Sequence, residues 1–327
     1  FMSKAYLAIH NDEEVLYSSS SGGVFSAIVQ SFCKDDFIVF GVEFDKDFNV
    51  VHTCADTIKD TEKYRKSKYI QSDISDSYKQ AEIFLKESKR VLFTGTPCQI
   101  AGLRLYLKKE CENLFCVDFV CHGVPSQKVF NEYKEYLKNI YSGPITSFTF
   151  RHKTHVNNVW QTRNIKVKVN GKEIIKDNNE DIYLRGYHAG LFYRPSCYEC
   201  RFANPYRVSD ITMADFWSVN KLFPKENPHK GVSLILINSE KATNLLEYMK
   251  SIMTIKEVDK QFVIEHGGQL KYPTRKHKKR EEFFTSLDKE NFDKLTERCL
   301  KRSVIRRIAS KILPEKIKHL IWKAINP

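Results

Sequence analysis

The stretch Val91-Leu92-Phe93-Thr94-Gly95-Thr96-Pro97-Cys98-Gln99-Ile100-Ala101-Gly102-Leu103 decides the fold. A short apolar run ends in a Thr/Gly/Pro turn and passes directly into apolar residues at three- and four-residue spacing. That is the pattern of a buried strand feeding a helix. Pro97 suits the first helical turn, where a missing N–H costs nothing. Cys98 then sits at a helix start, beside unpaired backbone N–H groups that favour a thiolate or another anion.

The pattern recurs downstream. Residues 114–120 read as a second apolar strand that ends at Cys121-His122-Gly123-Val124-Pro125-Ser126, with a helix expected over 128–140. If the two strands are parallel neighbours joined by the 99–108 helix, their carboxyl ends share one edge of the sheet, where open α/β sheets bind ligands. Topology thus predicts that Cys98 and Cys121, 23 positions apart, are brought to one mouth. Further strands are expected at 6–10, 37–44, 147–151, 164–169, 211–214 and 233–238, and further helices at 24–33 and 76–88.

The expected class is α/β (mixed α+β), a mixed sheet flanked by helices. The Asn170-Gly171 turn signal between IKVKV and KEII adds an antiparallel insertion over about 145–180. Residues 1–240 read as the catalytic domain, and 241–327 as a mainly helical C-terminal region that ends in a basic amphipathic helix near 304–325.

Nine cysteines in a chain without a signal-peptide layout argue against a full disulfide framework and for metal binding or buried thiols. Cys197-Tyr198-Glu199-Cys200 is a local pair whose two intervening residues let both sulfurs reach one metal or cluster. It lies in a Pro-containing loop, unlike a thioredoxin-type redox pair, which follows a central strand. With Cys98 and Cys121 it completes a four-thiolate set, open to zinc or to an iron–sulfur cluster. Cys33, Cys54, Cys111, Cys116 and Cys299 read as small buried hydrophobes.

A second cleft feature is Ser18-Ser19-Ser20-Ser21-Gly22-Gly23, ahead of the 24–33 helix. Glycines let a cofactor approach the backbone, and helix amides can hold a pyrophosphate or a flavin edge; the plain alternative is a capped loop. The charge of +13 is uneven: residues 271–327 hold 17 Lys/Arg against 7 Asp/Glu. Positive charge confined to one end, with no binding motif, fits nucleic acid poorly. The terminal basic helix suggests peripheral contact with an anionic membrane, or packing on the body with its charges in water. No run approaches the roughly 18 apolar residues of a spanning helix, so the expected location is cytoplasmic.

These motifs resemble the beta-subunit family of coenzyme F420 hydrogenases and dehydrogenases. The matching segments are SSSSGGVFSAI at 18–28, SKYIQSD at 67–73, VLFTGTPCQIAGL at 91–103, VDFVCHGVPS at 117–126, FRHK at 150–153, RPSCYEC at 194–200, SDITMADFW at 209–217 and GVSLILIN at 231–238. The resemblance implies an iron–sulfur flavoprotein oxidoreductase with FAD beside a 4Fe-4S cluster. Cys98, Cys121, Cys197 and Cys200 fall on the cysteine motifs. Ser20, Gly22, Gly23, Lys68, Tyr69, Thr94, Gly95 and Gln99 fall on the segments assigned to the flavin pocket.

His122 is expected to supply a proton or hydrogen-bond a sulfur, and Asp215 to act in catalysis or orient the cluster loop. Arg151, Lys153 and Trp160 are expected to form a wall for an anionic substrate, or else a solvated strand edge. The implied partners are a ferredoxin or other redox protein and a small molecule, either a deazaflavin or a sugar or lipid-linked intermediate of cell-surface polysaccharide synthesis. A non-catalytic four-cysteine zinc module is the reading from another class. Two features depart from the family pattern. A ferredoxin-like segment that precedes the Ser/Gly motif in relatives is not in this sequence, so electrons are expected from a separate ferredoxin unless the segment was trimmed. The motif usually written GDFWG stands here as Ala214-Asp215-Phe216-Trp217-Ser218.

Overall fold

The computed structural model describes residues 4–156 and 159–301. The expected basic helix near 304–325 lies outside the described residues. Eleven strands are found among those described: β1 (Lys4–His10), β2 (Phe37–Phe44), β3 (Val50–Ala55), β4 (Arg90–Thr94), β5 (Leu114–Phe119), β6 (Ile145–Val156), β7 (Val159–Val169), β8 (Lys172–Lys176), β9 (Ile211–Asp215), β10 (Ser233–Ile237) and β11 (Met253–Val258).

Eight of them form one mixed sheet in the order β11-β1-β10-β9-β5-β4-β2-β3. Its centre is parallel, with β2 against β4, β4 against β5 and β5 against β9. Antiparallel strands complete both sides. The parallel centre explains the unbroken apolar run at 91–93, because such strands are buried on both faces. Val91 and Phe93 face a layer built on Ile100, Leu103 and Leu107 of the helix Pro97–Leu107. Leu92 points the other way, toward Ile28 of the helix Val24–Phe32 and Leu246 of the helix Glu240–Met249. The helix Ser77–Lys86 leads from β3 into β4 and the helix Pro97–Leu107 joins β4 to its parallel neighbour β5, so β4 and β5 end at the same edge, as the sequence predicts.

The antiparallel insertion is a separate three-stranded sheet, β6-β7-β8. Its β7–β8 turn places Asn170 and Gly171 at φ 48° and 73°, the pair of positive angles that a two-residue hairpin of this type requires. An aromatic core that includes Phe130, Phe148, Phe150, Tyr183 and Phe192 packs it against the helices Gln127–Tyr141 and Ile182–His188.

Two strands depart from the expected pattern. β3 was not expected, and β11 falls in a stretch read as helical; β11 adds to the edge of the sheet by pairing with β1. Both are edge strands with polar residues interleaved, so their sequences lack the apolar continuity that marks the central strands. The described chain beyond Lys241 is otherwise mainly helical, as expected. No helix among the described residues is long and apolar enough to cross a membrane.

Candidate functional site

Cys98 occupies the first turn of the helix Pro97–Leu107. The start of that helix is fixed by Gln99, whose Oε1 accepts from the Thr96 amide at 2.9 Å while its Nε2 donates to Ser72 Oγ at 2.9 Å. Thr96 Oγ1 lies 3.1 Å from Cys98 Sγ. Cys121 follows β5, and Val120 at the strand end donates its amide to Met213 O on β9.

The second cysteine pair reaches this edge through backbone. Arg194 N donates to Val124 O at 3.0 Å, and Pro125 bridges to Tyr193. Gly123 makes the approach possible: its φ is 127°, and a Cβ there would stand 2.5 Å from the Tyr193 ring. The chain then turns through Pro195–Cys197, braced by Tyr198, whose hydroxyl donates to Gly190 O at 2.7 Å and accepts from the Tyr193 amide at 3.0 Å.

The four thiols are close enough to feel one another's charge. Burial first, and then Cys197, Cys98 and Cys200, push the Cys121 thiol up to about 12, against a hydrogen bond from the Gly123 amide. Cys197 is raised by burial and by the charges of Cys98 and Cys200. All nine cysteines are free thiols; Cys98 is exposed, and Cys121, Cys197 and Cys200 are half-buried. Yet among the described residues no three His, Cys, Asp or Glu side chains are grouped to share one metal ion. Of the other five, Cys33, Cys116 and Cys299 are buried as expected, and Cys54 and Cys111 are half-buried.

Beside the thiols opens a cavity of about 1160 Å³, lined by Cys98 and Cys121 but not by Cys197 or Cys200. It exceeds the roughly 300–1,000 Å³ of ordinary small-molecule pockets. Ser20, Gly23, Lys68, Tyr69, Thr94, Gly95, Gln99, His122 and Asp215 all line it. Gly22 does not; it lies beneath the loop, where a Cβ would meet Ala8 O and stand 2.8 Å from Ser233 N. The Ser/Gly loop is tied down on both sides, by Ser67 N donating to Ser20 Oγ at 2.9 Å and by Gly22 N donating to Ser233 Oγ at 2.8 Å.

The wall is basic. Lys66, Lys68, Arg151, Arg163 and Arg194 face two carboxylates, Asp73 and Asp215. A dinucleotide carries a pyrophosphate, and Lys66 and Lys68, together with the start of the helix Val24–Phe32 after Gly23, suit such an anion. Burial pushes the Lys68 amine down to about 7, although Glu43 opposes the shift; the amine donates to Lys63 O and Arg65 O at 3.0 Å each.

The expected anionic-substrate wall is rearranged. Arg151 lines the cavity but is committed to Asp215; Lys153 is fully buried and donates to Leu16 O and Ser21 O at 2.6 and 2.7 Å; Trp160 stacks on His155 with ring centroids 4.5 Å apart. These side chains interact inside the protein or with each other, which their alternation along β6 and β7 could not reveal. Burial alone would raise the Asp215 carboxyl, but the Arg151 guanidinium outweighs it and holds the carboxyl below its ordinary value. Asp215 is thus a fixed carboxylate, poorly suited to carry a proton. His122 is accessible from the cavity yet surrounded by protein, and burial lowers its pKa against the pull of Asp215.

Sequence reasoning missed Arg163, His188 and the segment 266–270 as parts of this wall. Arg163 lies on β7, and nothing local distinguishes it from other basic residues of that strand.

The model of the coenzyme F420 hydrogenase/dehydrogenase family, drawn on the C terminus of its beta subunit, matches residues 88–261, which is just over half of the chain. Among solved structures, a chain of the F420-reducing [NiFe] hydrogenase complex from Methanosarcina barkeri is similar in fold, with a TM-score of 0.53 at 16% sequence identity over 90% of each chain. No curated protein matches the chain in sequence. The family match spans β4, β5, the insertion, β9 and the segments that carry all four cysteines, and the likeness of fold extends over nearly the whole chain. The chain therefore belongs to the coenzyme F420 hydrogenase/dehydrogenase beta-subunit family of redox proteins.

Proposed function

We propose that the chain is an iron–sulfur flavoprotein oxidoreductase in which Cys98, Cys121, Cys197 and Cys200 hold one 4Fe-4S cluster at the mouth of an FAD-binding cavity. The observation that carries this reading is the meeting of four interacting thiols, from three segments of the chain, beside a large basic cavity at the carboxyl edge of parallel strands.

A flavin exchanges electrons in pairs and a cluster one at a time, so the two groups together convert between these modes. The chain's own part is orientation and exclusion of water. Ser20, Gly23, Lys68, Tyr69, Thr94, Gly95 and Gln99 form the flavin wall, while Gly22 lets the Ser/Gly loop seat closely on β1 and β10. Arg151 and Asp215 hold that loop from behind, since Arg151 Nη2 donates to Ser20 O at 2.9 Å. His122, beside Cys121, is placed to hydrogen-bond a sulfur or hand a proton to a bound molecule. Residues 1–240 carry all of these groups. A ferredoxin-type protein is the proposed electron partner, on the side where Cys98 is exposed. A deazaflavin or a sugar or lipid-linked intermediate is the proposed small molecule.

Anaerobic purification followed by analysis of iron, acid-labile sulfide and released flavin tests the reading. Four irons, four sulfides and one FAD per chain are expected for a 4Fe-4S flavoprotein. One tightly held zinc with neither sulfide nor flavin would overturn it in favour of the structural module.

A further inference from the structure

The cavity wall carries basic side chains for which the flavin and cluster assignments have no use. The Arg163 side chain makes no hydrogen bond and no ion pair with another described residue. Its guanidinium carbon lies over Trp217, 3.9 Å from the ring centroid. A ring face attracts the guanidinium charge but accepts none of its five N–H donors in ordinary hydrogen bonds, and no described residue does so. Asp215 acts on Arg163 through its charge, but it already gives both oxygens to Arg151 and forms no ion pair with Arg163.

The His188 ring also lines the cavity and makes no hydrogen bond to a described residue. Its pKa is lowered to about 4 by burial and then by the charges of His122, Arg163 and Arg151, which places these four groups around one region. Arg163, His188 and Trp217 come from β7, from the end of the helix Ile182–His188 and from the turn after β9. None of these elements carries a residue of the flavin set. A half-buried guanidinium with unused donors and no carboxylate partner is a receptor for an oxyanion.

We infer that Arg163, seated on Trp217 with His188 beside it, anchors a carboxylate or phosphate group of the small molecule that reacts in this cavity. The inference rests on the redox reading above, since it treats this region as the reactant's end of a cavity shared with the flavin. It replaces the wall of Arg151, Lys153 and Trp160 expected from the sequence with a different set of residues.

Calorimetric titration of the flavin- and cluster-loaded protein at low ionic strength tests it, with inorganic phosphate as one probe and glutarate as the other. Wild type is expected to bind at least one probe saturably, and preference between them identifies the group as phosphate or carboxylate. Arg163→Gln is expected to weaken that binding about ten-fold or more, with flavin and iron content unchanged, and Arg163→Lys to fall between. His188→Gln supplies a second variant should Arg163→Gln fail to fold, and it too is expected to weaken binding.

Equal binding by wild type and Arg163→Gln, or no binding of either probe to wild type, would overturn the inference. Loss of flavin from Arg163→Gln would also overturn it, by making Arg163 a cofactor residue. Wild-type protein that holds neither flavin nor cluster but binds phosphate or glutarate through Arg163 would keep the anion site and sink the redox reading instead.

Discussion

Arg151 and Asp215, 64 positions apart, join the small antiparallel sheet to the end of β9 through two hydrogen bonds of 2.6 and 2.9 Å. The same guanidinium donates to Thr162 O at 2.8 Å, Ser20 O at 2.9 Å and Tyr69 Oη at 3.2 Å, so all five of its N–H groups are used. Arg151 adopts φ 58°, at a point where the β6–β7 register shifts. The bulge turns one side chain inward and lets it hold the Ser/Gly loop, the 67–73 segment and β9 together.

Breaking that pair from one side strands a buried charge. Asp215→Asn should lower stability by about 3–5 kcal/mol, the usual cost of leaving one partner of a buried ion pair uncompensated. Urea unfolding reads this directly as a fall in midpoint. A wild-type midpoint for the variant would show that the two sheets are held by other contacts.

The cysteine assignment makes a selective prediction. Serine at Cys98, Cys121, Cys197 or Cys200 should remove most of the iron and sulfide from anaerobically purified protein, since a hydroxyl is a far poorer ligand than a thiolate for such a cluster. Cys54→Ala, at a half-buried thiol on β3, should leave iron content within error of wild type. Equal iron in all five variants would count against a cluster at this site.

What the sequence revealed and what it concealed divide along range of interaction. The 91–98 run was legible because a strand buried on both faces is apolar throughout and its turn residues are specific. From that run, parallel pairing of β4 and β5 followed, and with it the neighbourhood of Cys98 and Cys121. The Cys197–Cys200 loop could be joined to them only by chemistry and family resemblance, since the bond from Arg194 N to Val124 O spans 70 positions of chain. Arg151 with Asp215, and Arg163 with Trp217, were illegible for the same reason: each pair unites two sheets whose relative placement depends on an aromatic core that no local pattern encodes. The edge strand β11 was read as helix because its short alternation, MTIKEV, carries too few apolar residues to declare a face.

Gly22 gives a prediction about the loop rather than the metal. A methyl group there meets backbone on both sides, Ala8 O and Ser233 N, and backbone cannot swing away as a flexible side chain would. Gly22→Ala should displace the Ser/Gly loop and lower the bound flavin several-fold while iron stays bound, because the cysteines lie on other segments. The ratio of flavin to iron in purified protein checks this, and an unchanged ratio would remove the loop from the flavin pocket.

Lys153 links the loop to pH. Its amine is fully buried, its two partners are the carbonyls Leu16 O and Ser21 O, and a side chain at position 231 would collide with it, so Gly231 is what leaves it room. Burial first, and then the Arg151 charge, lower its pKa from 10.5 to about 7, although Asp215 opposes the shift. A neutral amine has two N–H donors, which match the two carbonyls. Between pH 7 and about 10 the unfolded chain therefore binds a proton that the folded chain does not, and stability rises with pH across that window. Below pH 7 both states are protonated and the contribution is flat. Lys153→Met removes the titrating group, so wild type should gain on the variant between pH 7 and 10, by at most about 1.4 kcal/mol per pH unit. Urea midpoints of the two proteins at half-unit steps from pH 6 to 10 measure the gap; one that narrows as pH rises would mean that the amine is charged in the folded state and holds the loop as an ammonium.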